Sequence, residues 1–142
     1  MTIHLIKLCV GVDTVQELAD WQSARLKEKK KRKQPLVLMH VTRQTPKRAA
    51  EIVDGGSLYW VVKGQIAVRQ CILELKHVVR NGVPHCGIVY DPKLIATQRR
   101  SHRPFQGWRY LEAKDAPPDA RDLKGKNLPE ALKIELAELG LL

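Results

Sequence analysis

The dipeptide Asn81-Gly82, set between two runs of β-branched residues, constrains this chain more than any other feature in it. Asn-Gly is a preferred two-residue hairpin link because both positions tolerate the positive φ of a type I′ turn. It therefore commits the run ending near Val79 and the run over residues 85–90 to antiparallel pairing. Lys63-Gly64 is a second tight turn, between a strand over residues 58–62 and another over residues 65–75. In the latter, Ile66 and Val68 alternate until Arg69-Gln70 interrupts, the pattern of a bulge. Residues 94–97, after the Asp91-Pro92 turn, and residues 107–111 complete a mostly antiparallel β region.

The first half alternates strands with helices. Residues 2–8 read as a strand with Ile3, Leu5 and Lys7 on one face. Thr14-Val15-Gln16-Glu17 has the S/T-x-x-E form of a capping box, which starts a helix carrying Leu18, Trp21, Gln22 and Leu26. That helix runs into residues 27–33, where six Lys or Arg accompany one Glu. Such a run complements the negative end of the helix dipole, and it equally suits a phosphate-contacting arm. Pro35 ends the segment, and residues 36–41 are almost continuously apolar, as in a buried central strand. Thr45-Pro46 supplies an N-cap and a first-turn proline, and Gly55-Gly56 a stop, for a short helix between them. Past a Pro-Pro linker at residues 117–118, Leu128, Leu132, Leu136 and Leu139 form the stripe of an amphipathic helix.

These elements describe an α+β domain over residues 1–120 with a helical extension over 121–142. At 142 residues the chain is long enough to bury a core without metal or disulfide support. Cys9, Cys71 and Cys86 are odd in number and lack C-x-x-C spacing, which fits a reducing cytoplasm rather than a disulfide framework. No stretch has the roughly 18 apolar residues of a membrane span, and no secretory leader is evident. The five histidines show no metal-clamp spacing, and no cofactor fingerprint appears, so neither metal nor cofactor is expected.

Charge and aromatic placement point to a partner class. The net charge is +10 and the pI about 9.8, a balance that favours polyanions. Five of the seven aromatic residues sit in two basic-flanked clusters, Tyr59-Trp60 with Lys63, and residues 102–110 with Phe105, Trp108 and Tyr110. Flat rings beside guanidinium groups can stack a base and hold its phosphate. Equally, such rings can seal a core under a basic loop. Along a strand Tyr59 and Trp60 face opposite ways, so one of them meets solvent, a covering element or a ligand. The candidate nucleic-acid contacts are Trp60, Tyr59, Phe105 and Trp108 for stacking, with Arg43, Lys47, Arg48, Lys63, Arg69, Arg100, Arg103 and Arg109 for phosphates or base edges.

The segments Thr2-Ile3-His4-Leu5-Ile6-Lys7-Leu8-Cys9-Val10-Gly11, Gly55-Gly56-Ser57-Leu58-Tyr59-Trp60-Val61-Val62-Lys63-Gly64 and Arg103-Pro104-Phe105-Gln106-Gly107-Trp108-Arg109-Tyr110-Leu111 resemble an uncharacterised, mainly alphaproteobacterial domain-of-unknown-function family over about residues 1–120. That resemblance implies no activity. The order of short helix, Gly-Gly, strand, lysine turn and strand is more distantly similar to the PUA-like superfamily with its ASCH and EVE domains. This likeness implies a bent sheet forming a pseudo-barrel with peripheral helices, and a cleft for RNA or a modified base. The ASCH lysine and glutamate are not reproduced in residues 58–62, which speaks against ASCH-type hydrolysis.

The expected function is thus binding of RNA or a modified nucleobase by a basic, aromatic-lined cleft, in a monomer or weak dimer. Two alternatives stand beside it. One is a nucleotide-directed hydrolase using the same cleft with an acidic residue such as Glu51 or Glu74 as base, and the other a module that dimerises through the 128–139 stripe.

Overall fold

The structure is a computed structural model, and it describes residues 2–120. The extension expected over 121–142 lies outside the described residues. In chain order the elements are β1 (Ile3–Leu8), α1 (Val15–Lys31), β2 (Leu38–Thr42), α2 (Ala49–Val53), β3 (Ser57–Val62), β4 (Gln65–Arg80), β5 (Val83–Tyr90), β6 (Ile95–Ser101) and β7 (Trp108–Glu112), followed by a single 3₁₀ turn. The fold is α+β, built on one mixed seven-stranded sheet ordered β2-β5-β4-β3-β1-β7, with β6 added beside β4. Every pairing is antiparallel except β1 with β3.

Strand β4 organises the sheet. Its first half pairs with β3 and β6, and its second half with β5. Register slips where Ala67 is skipped between β3 and β4, and where Leu73 is skipped between β4 and β5. An extra residue bends a strand and increases its twist, so these two bulges fold the sheet over. They flank Arg69-Gln70 rather than falling on it, and both of those side chains are held by partners. The sheet stays open, with its β2 and β7 ends meeting through side chains. The Trp108 indole donates to the Gln44 carbonyl at 2.8 Å, and the Arg48 amide donates to the Tyr110 hydroxyl at 3.2 Å.

The parallel pair is covered on both sides, and all six residues of β3 are buried. On one face Ile3, Leu5, Leu58, Trp60 and Val62 pack with Val15 and Leu18 of α1, Ile52 of α2, and Leu38, Ile88 and Tyr90. On the other face Ile6, Tyr59, Val61 and Ile66 pack beneath Phe105, with Leu8, Leu111 and Ala116 around them. Two cores resolve the alternation of Tyr59 and Trp60: Tyr59 meets a covering element, and Trp60 faces the helical side.

Both predicted turns form. Lys63-Gly64 and Asn81-Gly82 have positive φ at each position, as a type I′ link requires. The Thr14 N-cap also forms, its hydroxyl accepting from the Glu17 amide, while the Glu17 carboxylate accepts from the Asp13 amide one residue earlier than a capping box requires, and α1 begins at Val15. Two expectations are corrected. The apolar run at 36–41 gives an edge strand rather than a central one, with Met39 well exposed. Helix α2 begins at Ala49 with no side-chain cap, so Thr45-Pro46 starts nothing; the Thr45 side chain instead bonds the Cys86 thiol. Gly55 does end α2, in the left-handed region at φ +83°.

Candidate functional site

A cavity of about 490 Å³ opens at the end of the sheet where β1 and β3 finish. That size is within the ordinary range for a small-molecule site. Its floor is Lys7 and Cys9 at the end of β1 with Trp60 of β3. One wall is His40 of β2 and Tyr90 of β5, and the other is Glu17, Leu18 and Trp21 of α1. The loop over residues 10–12 closes the rim. The convergence follows from register. Lys7 sits directly between Trp60 and Trp108 in the sheet, and His40 pairs with Ile88, so it faces inward.

The aromatic wall is held rigidly. Trp60 meets His40 edge-on at 5.7 Å between ring centres and Tyr90 at 6.2 Å. Its indole N–H donates to Gln70 Oε1 at 2.9 Å. Gln70 is in turn locked to Gln22 of α1 by reciprocal amide bonds of 3.0 and 2.8 Å, and also donates to the Pro92 carbonyl. Every hydrogen-bonding valence of the Gln70 amide is used, so this buried network fixes Trp60 instead of leaving a costly unpaired group.

The electrostatics are unusual. Lys7 makes no ion pair or hydrogen bond among the described residues, and burial lowers its pKa, with the nearby Cys9 opposing. Burial, reinforced by the Lys7 charge, drives His40 down to about 4, so its imidazole is neutral at pH 7 with neither ring nitrogen bonded among the described residues. Burial raises Cys9 to about 11 and Tyr90 to about 12. At neutral pH the cavity thus presents a thiol, a phenol, a neutral imidazole and one ammonium, with the Glu17 side chain on the α1 wall but not ion-paired to Lys7. A thiol so far from ionisation is a poor nucleophile. Among the described residues no three His, Cys, Asp or Glu side chains converge as metal ligands.

Of the twelve residues predicted to contact nucleic acid, Trp60 alone lines this cavity. Arg43, Lys47, Arg48 and Trp108 gather at the junction of the sheet ends. There Arg43 donates to the Pro84 carbonyl, Arg48 pairs with Glu51 and lies over Tyr110, Trp108 is tied to Gln44, and Lys47 is exposed. Lys63, Arg100, Arg103, Phe105 and Arg109 gather on the opposite face. Phe105 is core, Arg109 stacks over it at 5.2 Å, Arg100 binds the Asp115 carbonyl, and Lys63 and Arg103 are exposed. Tyr59 is buried, and Arg69 holds Asp119 through two bonds of 2.8 and 2.9 Å while donating to Ser57. Neither Glu51 nor Glu74 lines the cavity. Sequence reasoning passed over Lys7, Trp21, His40 and Tyr90. The available signal was Lys7, a cation placed on the apolar face of its strand.

No helix among the described residues is long and apolar enough to cross a membrane. Comparison with curated proteins gives no match, and comparison with solved structures gives none. A family model does match, over residues 5–142, and so extends through the tail beyond the span of about 1–120 expected from the motifs. The chain therefore belongs to the family described as "Protein of unknown function (DUF1489)".

Proposed function

We propose that the protein binds RNA by taking one base, ordinary or modified, into the cavity between β1 and α1. The observation that carries this reading is the Lys7 ammonium, without an ion pair or hydrogen bond among the described residues, in a cavity walled by the rings of Trp21, His40, Trp60 and Tyr90. A cation half removed from water without a partner is costly unless a ligand supplies electron density. A planar group with carbonyl oxygens supplies it and fills the space between the rings. The neutral imidazole of His40 offers one donor and one acceptor to the same edge. The net charge of +10 attracts the phosphates. The bent, open sheet with helices at its periphery is compatible with a PUA-like pseudo-barrel, and that kinship is part of the proposal. The hydrolase alternative loses its named bases, because Glu51 is held by Arg48 and Glu74 is exposed away from the cavity.

Tryptophan emission reports the event directly, since Trp60 and Trp21 both line the cavity. Titration with single-stranded RNA at physiological salt is expected to quench it. Trp60→Ala should weaken binding at least about fivefold, given ~1–3 kcal/mol per stacked base, and Lys7→Met at least about tenfold, given ~1.5–3 kcal/mol for a hydrogen bond to a charged group. Unchanged emission at saturating RNA, or unchanged affinity in both folded variants, would overturn the reading.

A further inference from the structure

We infer that α1 carries the backbone of a single-stranded RNA away from the cavity, along a track formed by Trp21, Arg25, Lys29 and Arg32. The inference rests on the base-binding reading above and names its substrate class, an oligonucleotide strand rather than a free nucleotide. Trp21, half exposed, belongs to the cavity wall. The Arg25 guanidinium stacks on the Trp21 ring at 5.0 Å, and its charge reaches the phenol of Tyr90 inside the cavity. The same Arg25 borders a shallow depression of about 190 Å³ lined by Glu28, Lys29, Arg32 and Gln34. Arg25 thus joins the depression it lines to Trp21, which lines the cavity.

Spacing supports a path over a scattered patch. Residues 21, 25, 29 and 32 succeed one another at i+4, i+4 and i+3, which places them on one face of a helix. At 1.5 Å rise per residue the stripe is roughly 16 Å long, enough for a few phosphates of an extended strand. Favourable interaction with the helix dipole explains cations only in the last turn, and Arg25 lies before it. The ring of Trp21 with its stacked guanidinium gives a second platform for the base next to the captured one. Glu28 is the opposing charge, bonded to Arg32 at 3.0 Å with both side chains about two-thirds exposed, so a phosphate can displace it.

The test compares an eight-nucleotide oligouridylate with uridine monophosphate, on wild type and on a Lys29→Gln/Arg32→Gln variant whose fold is checked by circular dichroism. The track requires the variant to bind the oligonucleotide about 5- to 30-fold more weakly and to lose roughly 1.4 from the salt slope, at about 0.7 per phosphate contact. Mononucleotide affinity should not change, and Glu28→Gln should tighten the oligonucleotide. If variant and wild type bind the oligonucleotide alike, the track is wrong and the cavity reading stands. If wild type binds neither probe, both fail together.

Discussion

Lys7 is the residue on which the site turns, and its consequences are separable. Lys7→Met keeps the length of the side chain and removes the charge. It should therefore weaken RNA binding at least tenfold while leaving stability unchanged or improved, because a desolvated ammonium has been replaced by an apolar group. A thermal melt beside the binding titration distinguishes this from simple unfolding. His40 makes a prediction about pH. Its folded pKa of about 4 lies below the ordinary 6.5, so between these values the unfolded chain binds more protons than the folded one. Stability therefore rises with pH through that window and is lost as pH falls from 6.5 towards 4. With the side chain partly exposed, the effect is on the order of 1–2 kcal/mol. His40→Gln should flatten urea-derived stability over pH 4–6.5. A residual slope of the same sign belongs to His4, whose pKa is lowered by burial and by Arg69. These residues were poorly legible in the sequence for a physical reason. Trp21 and Tyr90 stand apart from the other aromatics, and only the packing of five elements brings them to Trp60 and His40. The two clusters dense in rings and arginines instead spend many of those groups on internal bonds.

Among the elements, the tight turns and the start of α1 were readable because each is decided within four or five residues, whereas the start of α2 was not. Asn81-Gly82, Lys63-Gly64 and the Thr14 N-cap needed no tertiary information. The place of β2 at the sheet edge was not readable, since an apolar run describes burial but not neighbours. Nor were the bulges, because a skipped residue depends on how its strand pairs with distant partners. Gln70 shows this best. It sits between the two bulges and joins β4 to α1, to β3 through Trp60 and to the β5–β6 turn through Pro92. Gln70→Leu would leave the Trp60 N–H buried without a partner and strip the Gln22 amide of its two bonds to Gln70, leaving it the Tyr90 phenol, a loss of roughly 2–4 kcal/mol. Gln22→Leu/Gln70→Leu should recover part of that loss, because the stranded Gln22 amide is removed, although the Trp60 indole and the Tyr90 phenol both lose a partner. Denaturant melts of the three proteins measure the coupling, and strictly additive losses would show that the pair does not act as a unit.

At the scale of the whole molecule, a sheet that does not close must be held in its curve by something other than a continuous ladder. The helical side has the Trp108–Gln44 and Tyr110–Arg48 bonds, which join the two ends of the sheet. The opposite side has the segment after β7, which crosses back over the second core. There Thr97 bridges Asp119, the Gln98 amide donates to the Pro118 carbonyl, and Ala120 is fully buried. The segment that reads in sequence as a linker is therefore a strap, because proline stiffness serves a docked segment as well as a free one. Its fastening is the two-point Arg69–Asp119 pair, with about a fifth or less of either side chain exposed. Such a pair adds little over a good apolar replacement, yet breaking it strands the surviving charge. Asp119→Ala should consequently cost about 3–5 kcal/mol, since Arg69 would keep, among the described residues, its bonds to Ser57 and the Cys71 sulfur. Arg69→Met/Asp119→Leu should be much milder. Hydrogen exchange locates the effect: Asp119→Ala should release protection in β6 and around Phe105 before it does so in the β4–β5 hairpin. If protection falls everywhere at once, the strap and the sheet unfold as one unit, and the second core has no separate stability.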